Sequence, residues 1–333
     1  MKRLLFFNTC LALFIALISV PTARATVTVN AANFPDANFR AAVAQAAGVS
    51  SDGGTFSEAS LTTLDLPSQG VTNVTNLKGL ELLTGLTYLN ISGNTLTTGA
   101  DLRQLTALTC VKASHCNITT LAATSRTSPH AGAGLLIGTD NNNIIYLDLS
   151  HNSDFFYSGY LKYLTKMETL LLNDCTGYDY WEVEPGTAMR SIKWLDISNT
   201  ACNRIYLPNA TGLKHLKASN TQLTGFSSSA GYSNSTPTLG YIQIPVGLTT
   251  LEYLNLADCP NLNYFRAIKE HYRIASLDTL ILTNDTNLGW SNVGIEAQTG
   301  MTYLDVTNCN ISTAGPDFIP NFDHLKSLKT LLY

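Results

Sequence analysis

The side chains that could bind a metal ion or act as nucleophiles are few and widely spaced. The sequence contains six histidines: His115, His130, His151, His215, His271 and His324. No two of them have the HxxxH spacing by which one helical face holds a metal ion, and no GxSxG turn, CxxC pair or glycine-rich phosphate loop is present. We therefore predict no metal site, no cofactor and no nucleophilic centre.

Three aspartates, Asp148, Asp196 and Asp305, recur at equivalent positions of a repeat that is described below. Two carboxylates on either side of a substrate can serve as general acid and general base. Asp148 and Asp196, however, are two coils of the repeat apart, with Leu171 on the coil between them. This separation favours polar side chains that keep an open sheet soluble, and we predict that the protein is not an enzyme.

Aromatic side chains form a second candidate set, and each is followed two residues later by Asn or Asp. Tyrosine and tryptophan often anchor binding sites, although aromatic residues and threonine also favour strands for reasons of packing alone. We expect the aromatic residues and their charged neighbours to share one exposed face that binds a ligand. The residues expected on that face are Tyr88, Tyr146, Trp194, His215, Tyr253, Tyr303, Asp148, Asp196, Lys217 and Asp305.

The elements that must position these residues are copies of one pattern, LxxLxLxxNxL, in which Ile, Val, Met or Ala can replace Leu and Cys or Thr can replace Asn. Ten near-complete copies start at Leu61, Leu86, Leu108, Ile144, Met167, Ile192, Leu213, Leu251, Leu277 and Met301, and a truncated copy starts at Leu328. The candidate aromatic residues occupy the third place of this pattern and the aspartates occupy the fifth place. Ten copies in phase predict a solenoid.

Each copy alternates with period two at its centre, so its leucines face one way and its third and fifth places face the other. One such strand cannot bury its apolar side alone, and stacked coils place successive strands in one parallel sheet over a continuous core. The pattern resembles the leucine-rich repeat family over residues 61–333. The resemblance implies an α/β solenoid, a horseshoe with a parallel β-sheet on its concave face and a short N-terminal helical cap.

The ninth place is an inward asparagine or cysteine in that family, where these residues form a ladder between coils. Four cysteines occupy it here: Cys116, Cys175, Cys259 and Cys309. Cys202 falls at the apolar eleventh place, and Cys110, at a third place, is the one cysteine expected to face solvent. We predict mostly or wholly free thiols, with a Cys175–Cys202 bridge as the best of several poor pairings.

Two spacings between copies, of 36 and 38 residues, exceed the others. The extra residues fall in 124–142 and 227–245, which are rich in Ser, Thr, Gly and Pro. This composition predicts two surface loops. Lengthened loops in repeat proteins can carry a binding site, although a tolerated insertion is the commoner explanation.

Residues 1–25 have the organisation of a secretory signal peptide, with a basic start, an apolar run and cleavage after Ala25. The alternative, a membrane anchor, is disfavoured because the apolar run is short and ends at Pro21. Cleavage would change the formal net charge from −4 to −7, and an acidic protein without lysine clusters is a poor candidate for binding nucleic acid. No later stretch is apolar for long enough to span a membrane.

Residues 26–60 are expected to form the N-terminal helical cap, with a helix in NFPDANFRAAVAQAAG that ends at Gly48. The segment NFPDANFR, followed by a short loop and the repeats, resembles the N-terminal region of secreted bacterial leucine-rich repeat proteins of internalin-like or surface-antigen type. Relatives often carry a calcium-binding loop here. The aligned ligand places hold Val49, Ser51, Gly53 and Ser60, none of which is a carboxylate, so we predict no calcium site.

Taken together, these features predict a secreted or cell-surface recognition module that binds a protein or glycan through its concave face, as an adhesin does. A host-derived molecule is one candidate ligand. The alternative is a structural spacer of a longer envelope protein that binds no ligand of its own. The chain ends at Tyr333 within a predicted strand, and we expect either a longer chain or a partner that covers this last coil.

Overall fold

The computed structural model describes most of the chain after the predicted signal peptide. The described residues are 25–122, 133–155, 161–177, 190–203, 205–207, 209–227, 241–243, 248–266, 274, 276–289, 293–295, 298–310, 323 and 325–333. The predicted signal peptide up to residue 24, and also His130, His271 and His324, lie outside them. Among the described residues, no helix has the length and apolar character needed to cross a bilayer.

Every copy of the repeat contributes one short strand to a parallel sheet of eleven strands. Numbered in chain order, these strands are β3 (Thr63–Asp65), β4 (Tyr88–Asn90), β6 (Cys110–Lys112), β9 (Tyr146–Asp148), β10 (Thr169–Leu171), β11 (Trp194–Asp196), β13 (His215–Lys217), β16 (Tyr253–Asn255), β18 (Thr279–Ile281), β20 (Tyr303–Asp305) and β21 (Thr330–Leu332). They pair in sequence order and in register, so that third places lie opposite third places. The predicted leucine-rich repeat solenoid is confirmed.

The fourth place of each copy forms the centre of the core. From Leu64 to Leu304 the side chain at this place is at most 1% exposed, whereas the residues on either side of it retain contact with solvent in most strands. The period-two alternation of the sequence therefore has its physical counterpart in a single buried row. We call the opposite side of this sheet, which carries the third and fifth places, the concave face.

The ninth place connects successive coils through hydrogen bonds to backbone groups. Asn152 accepts from the backbone N–H of Cys116 and of Ile118, both at 2.9 Å, and its amide donates to the carbonyls of Ala113 and Leu149 at 2.8 and 2.7 Å. Buried sulfhydryls donate in the same way. The six cysteines among the described residues are all free thiols. Cys309 is half-buried, so the expectation that Cys110 alone would face solvent is wrong.

The eighth place turns the chain out of each strand with a positive φ. Eight non-glycine residues at this place have φ between 51° and 65°: His115, His151, Asp174, Asn199, Asn220, Asp258, Asn284 and Asn308. Asn, Asp and His enter this left-handed region at lower cost than other residues with a side chain. The second copy has Gly93 there, with φ of 77°.

A second set of strands lies on the far side of the core from the concave face. A sheet of three strands contains β5 (Ala100–Asp101), β7 (Ile118–Ala122) and β8 (Ala133–Leu136), and a sheet of five contains β12 (Ile205–Tyr206), β14 (Gly225–Ser227), β15 (Tyr241–Gln243), β17 (Tyr264–Arg266) and β19 (Val293–Gly294). We call these two sheets the convex sheets. Short 3₁₀ turns complete the coils at Pro67–Gln69, Leu80–Leu82, Thr139–Asn141 and Leu161–Tyr163.

The described parts of the two long segments contain strands, where the sequence predicts surface loops. β8 lies between β5 of the preceding coil and β7 of its own coil, and β15 lies in the same way between β12 and β14. Leu135 and Ile242, at the centres of the two inserted strands, are 0% exposed. The composition predicts loops because it is averaged over the whole segment. The alternating apolar residues of 133–137 are few compared with the Ser, Thr and Gly around them.

The N-terminal part contains a two-stranded antiparallel sheet, β1 (Thr26–Val29) with β2 (Gly54–Ser57), and one helix, α1 (Ala37–Ala47). Asp36 caps α1, since its Oδ1 accepts from the backbone N–H of Asn38 and of Phe39 at 3.0 Å. The Asp36 Oδ2 accepts from the backbone N–H of Thr75 at 2.9 Å, which ties the start of the helix to the first coil. Gly48 ends the helix with φ of 67°.

Candidate ligand-binding face

The concave face presents the third and fifth places of every coil side by side, because the strands pair in register. Each predicted site residue lies on this face, on strands β4, β9, β11, β13, β16 and β20. Their aromatic side chains are half-buried, so part of each ring remains open to a ligand. The residues do not form one continuous site but gather in two clusters and one separate pair.

The first cluster centres on Lys112, which the candidate set omitted. The Lys112 ammonium lies 5.7 Å from the ring centre of Tyr88 and 5.8 Å from that of Tyr146, on the two neighbouring strands. Both distances are within the range of cation–π attraction. Burial acts to lower the pKa of Lys112, but the phenol groups of Tyr88 and Tyr146 raise it above its ordinary value overall. Lys112 therefore remains charged between two aromatic rings.

Polar side chains surround this lysine on the same strands. Asn90 and Asp148 lie at the fifth places on either side of it. The Asn90 amide and the Tyr88 hydroxyl both donate to Asp65, at 3.2 and 3.3 Å. Burial, followed by the charge of Asp148, raises the pKa of the Tyr146 hydroxyl, which is a neutral hydrogen-bonding group at physiological pH.

The second cluster centres on Lys217, whose ammonium lies 5.5 Å from the ring centre of Trp194 and 3.8 Å from Asp196. His215 stacks on Trp194, with ring centres 4.4 Å apart, and lies 6.0 Å from the ring of Tyr253. Burial lowers the pKa of His215; the charge of Glu252 opposes this shift, and the ammonium groups of Lys214 and Lys217 reinforce it. The imidazole is therefore neutral near pH 7, and it forms an aromatic strip with its two neighbours.

Tyr303 and Asp305 lie apart from both clusters, on β20. The fifth places on either side of Asp305 are held by Ile281 and Leu332. Asp305 is only 9% exposed, and its Oδ1 accepts from the backbone N–H of Thr307 at 2.9 Å. Asp148 and Asp196 accept the same bond, from the backbone N–H of Ser150 and of Ser198. Asp305 therefore differs from them by its apolar neighbours.

Asp148 and Asp196 are not neighbours on the concave face. Asp148 on β9 and Asp196 on β11 are separated by Leu171 of β10, as expected from the repeat, and two strand spacings amount to roughly 10 Å. Among the residues that the structure describes, no group of three or more His, Cys, Asp and Glu side chains is placed to hold a metal ion. His115 and His151 are neighbours, with stacked rings 4.3 Å apart.

The solved structures that are similar to this one include internalins and a leucine-rich repeat domain. An internalin (InlF) from Listeria monocytogenes is 19% identical, with a TM-score of 0.47, over 93% of this chain and 98% of that one. The functional domain of InlJ from the same species, which includes a cysteine ladder, is 19% identical with a TM-score of 0.48, and this chain covers 65% of it. The leucine-rich repeat domain of the type III effector XopL is 16% identical, with a TM-score of 0.45, over 90% of each chain.

No protein-family model matches the sequence. No curated protein matches it either.

Proposed function

We propose that the protein is an exported recognition module whose concave face binds a macromolecular ligand, a protein or a glycan, as an adhesin does. The observation that carries this proposal is the placement of a lysine against one or two aromatic rings at two places on the concave face. Lys112 lies between Tyr88 and Tyr146, and Lys217 lies against Trp194. Half-exposed aromatic rings with charged groups beside them are the residue types that dominate binding energy at interfaces.

Packing of the fold does not require these rings. The core below them is filled by fourth-place leucines and by the ninth-place ladder, and the concave strands already exchange their backbone hydrogen bonds with each other. If the third place required only a residue that favours strands, threonine would be sufficient. Threonine occupies this place on β3, β10, β18 and β21. Tyrosine and tryptophan at the intervening strands are consistent with selection for contact with a ligand.

Export is supported by the sequence of residues 1–25. We propose cleavage after Ala25 and a location at the cell surface or outside the cell, where a macromolecular ligand of an adhesin would be met. Mass spectrometry of the protein recovered from the medium and the envelope of the producing cell tests this. A mature N-terminus at Thr26 supports export, and recovery of the uncleaved chain from the cell interior contradicts it.

The binding proposal is tested by screening the mature protein against immobilised glycans and extracellular matrix proteins, with Trp194→Ala, Tyr146→Ala and Tyr253→Ala beside the natural chain. Removal of a central aromatic anchor costs about 2 kcal/mol or more, which weakens binding roughly thirtyfold. Tyr264→Ala is the matched control, because Tyr264 is a half-buried aromatic residue on a convex strand.

A ligand that is weakened by the concave substitutions and not by Tyr264→Ala establishes the concave face as the binding surface. Hits that are unaffected by all three concave substitutions would place the site elsewhere, for example at the segments 124–142 and 227–245. The complete absence of hits would favour the structural spacer.

A further inference from the structure

The coils are organised in groups of four, a level of repetition above the single copy. From Leu61 the spacings between copies are 25, 22, 36 and 23 residues, and from Met167 they are 25, 21, 38 and 26. The next group starts at Leu277 with 24 and 27. In both complete groups the inserted convex strand, β8 or β15, belongs to the third coil. The two groups therefore have the same number of coils and the same order of short and long spacings. Both have the inserted strand in the same coil.

The concave face keeps its pattern between the two groups. The second coil has an aromatic residue at the third place, the third coil has a lysine at the fifth place, and the fourth coil has a tyrosine at the third place. The first site comprises Tyr88, Asn90, Lys112, Tyr146 and Asp148, and the second site comprises Trp194, Asp196, Lys217, Tyr253 and Asn255. Each has one ammonium, one carboxylate and one amide at its three fifth places.

The buried ladder, in contrast, differs at every one of its four places. The first group has Gln69, Asn94, Cys116 and Asn152, and the second has Cys175, Thr200, Thr221 and Cys259. Buried positions in duplicated units ordinarily change least, because their side chains must fit a dense core. On the concave face, the lysine, the tyrosine of the fourth coil and an aromatic residue in the second coil are kept, while Asp65 corresponds to Leu171 and Cys110 to His215. The features kept are therefore those of the two lysine-centred sites.

The inserted strands lie on the convex side of the coils that carry the two lysines. On the convex side, β8 separates β5 from β7 by two strand spacings, roughly 10 Å, while β4 and β6 on the concave side remain one spacing, about 4.8 Å, apart. β15 separates β12 from β14 in the same way, while β11 and β13 remain neighbours. The irregular feature of the convex side therefore falls on the same coil as the lysine in both groups.

We propose that these two sites hold one linear, uncharged polysaccharide at two points along its length. The inference rests on the proposed function, and it deepens it by assigning the ligand class and a two-point mode of binding. β6 and β13, which carry the two lysines, are four strand steps apart, so the sites repeat at roughly 19 Å. A linear polysaccharide presents the same ring at regular distances, and a folded protein surface does not.

The chemistry of each site fits a neutral sugar. A sugar ring has an apolar face of C–H groups, which packs on an aromatic ring, and a rim of hydroxyls that both donate and accept hydrogen bonds. Lysine and asparagine supply donors, and aspartate and asparagine supply acceptors. Each ammonium lies among at least one carboxylate, Asp65 and Asp148 in the first site and Asp196 in the second. Neither site therefore has the excess of positive charge that a polyanion would favour.

The test has two stages. An array of linear glucan, mannan, galactan and N-acetylglucosamine polymers identifies the polysaccharide that binds. Calorimetry then compares the disaccharide of that polymer with long oligosaccharides of the same linkage. We expect two disaccharides to bind per chain, and we expect oligosaccharides that span both sites to bind about 10²-fold more tightly through effective concentration.

Substitutions separate the two sites. Tyr146→Ala and Tyr253→Ala, each in one site, should each lower the number of bound disaccharides from two to one and abolish the gain from length, while the affinity of the intact site is unchanged. The double variant should bind neither ligand. Tyr264→Ala on the convex side and Thr279→Ala, a third-place substitution outside both sites, are the controls, and circular dichroism confirms that every variant is folded.

Three results would overturn the inference. If polysaccharide binding shows no dependence on length, or if only one of the two tyrosines matters, two-point binding is wrong while the concave face remains a binding face. If only proteins bind, and both substitutions weaken them, the ligand class is wrong and the proposed function stands. If neither class binds the concave face, the proposed function fails together with the inference.

Discussion

Asp285 should make the stability of this protein fall as pH rises. It lies at the ninth place of the coil that starts at Leu277, where its side chain is 0% exposed. Its Oδ1 accepts from the backbone N–H of Cys259 at 2.8 Å, and its Oδ2 has no hydrogen-bond partner among the described residues. Burial raises the pKa of this carboxyl group to about 8, with a smaller contribution from the charge of Asp258.

The direction of the effect follows from linkage. The folded protein binds the Asp285 proton more tightly than the unfolded chain, whose aspartates titrate near pH 4. Between about pH 4 and pH 8, unfolding therefore releases a proton, and the free energy of unfolding decreases as pH rises. Below pH 4 both states are protonated and the penalty is absent. Above pH 8 it is complete, at up to about 5 kcal/mol, because each pKa unit corresponds to 1.36 kcal/mol.

Asp285→Asn should remove this dependence. Asn152, at the same place of another coil, donates through its amide to the carbonyls of Ala113 and Leu149, and an amide at position 285 provides such a donor without a charge. The measurement is urea denaturation from pH 4 to pH 9 for the natural chain and the variant. We expect similar stabilities at pH 4 and an advantage for the variant that grows by about 1.4 kcal/mol per pH unit up to pH 8.

Asp278→Asn, at an exposed second place of the same coil, is the matched control and should change stability little throughout. Because solenoids can unfold in parts, hydrogen exchange of the coils around residue 285 should accompany the denaturation curves. A difference between Asp285→Asn and the natural chain that does not vary with pH would refute the assignment of a raised pKa.

Three further predictions concern the ladder, the core and the turns. In denaturant without reductant, the mature protein should titrate with six thiols, and a lower count would reveal disulfides. In the native protein, Cys116 and Cys175 should react slowly with thiol reagents, because burial raises their pKa to about 12. Leu195→Ala should cost about 2–5 kcal/mol in denaturation experiments, whereas Trp194→Ala should cost far less, and equal costs would contradict the assigned orientations. Asn199→Gly should be tolerated better than Asn199→Val, since φ is 57° there; the reverse order of melting temperatures would be incompatible with this turn.

The sequence was sufficient for the repeat, the sheet and the direction in which each side chain points. The pattern LxxLxLxxNxL places an apolar residue at every buried place, and a shift by one residue would expose the whole row. For this reason the pattern places Trp194, at a third place, and Leu195, at a fourth place, on opposite sides of the sheet. The structure agrees, since Leu195 is 0% exposed and Trp194 is half-buried.

The site was less predictable, because a one-dimensional pattern gives the row of a residue but not the residues that it contacts. Lys112 was omitted from the candidate set although it belongs to the same row as Lys217. Asp305 was included although its carboxylate is almost covered. The spacings between copies contain the signal that identifies Lys112. They divide the coils into two groups of four with a long third coil, and Lys112 and Lys217 occupy the same place in the two groups. Asp305, in contrast, has Ile281 and Leu332 at the fifth places on either side.

The inserted strands show why composition failed on the two long segments. A short strand needs only a few apolar residues in alternation, and the polar residues that surround it dominate any average over the segment. Such a segment forms a strand only if it can hydrogen-bond between two strands of neighbouring coils. The neighbouring coils provide these partners as β5 and β7 for one segment and as β12 and β14 for the other. The insertion then widens the convex side of the same coils whose concave strands carry Lys112 and Lys217. The long spacing and the lysine are therefore two features of the same third coil, one on each side of the solenoid.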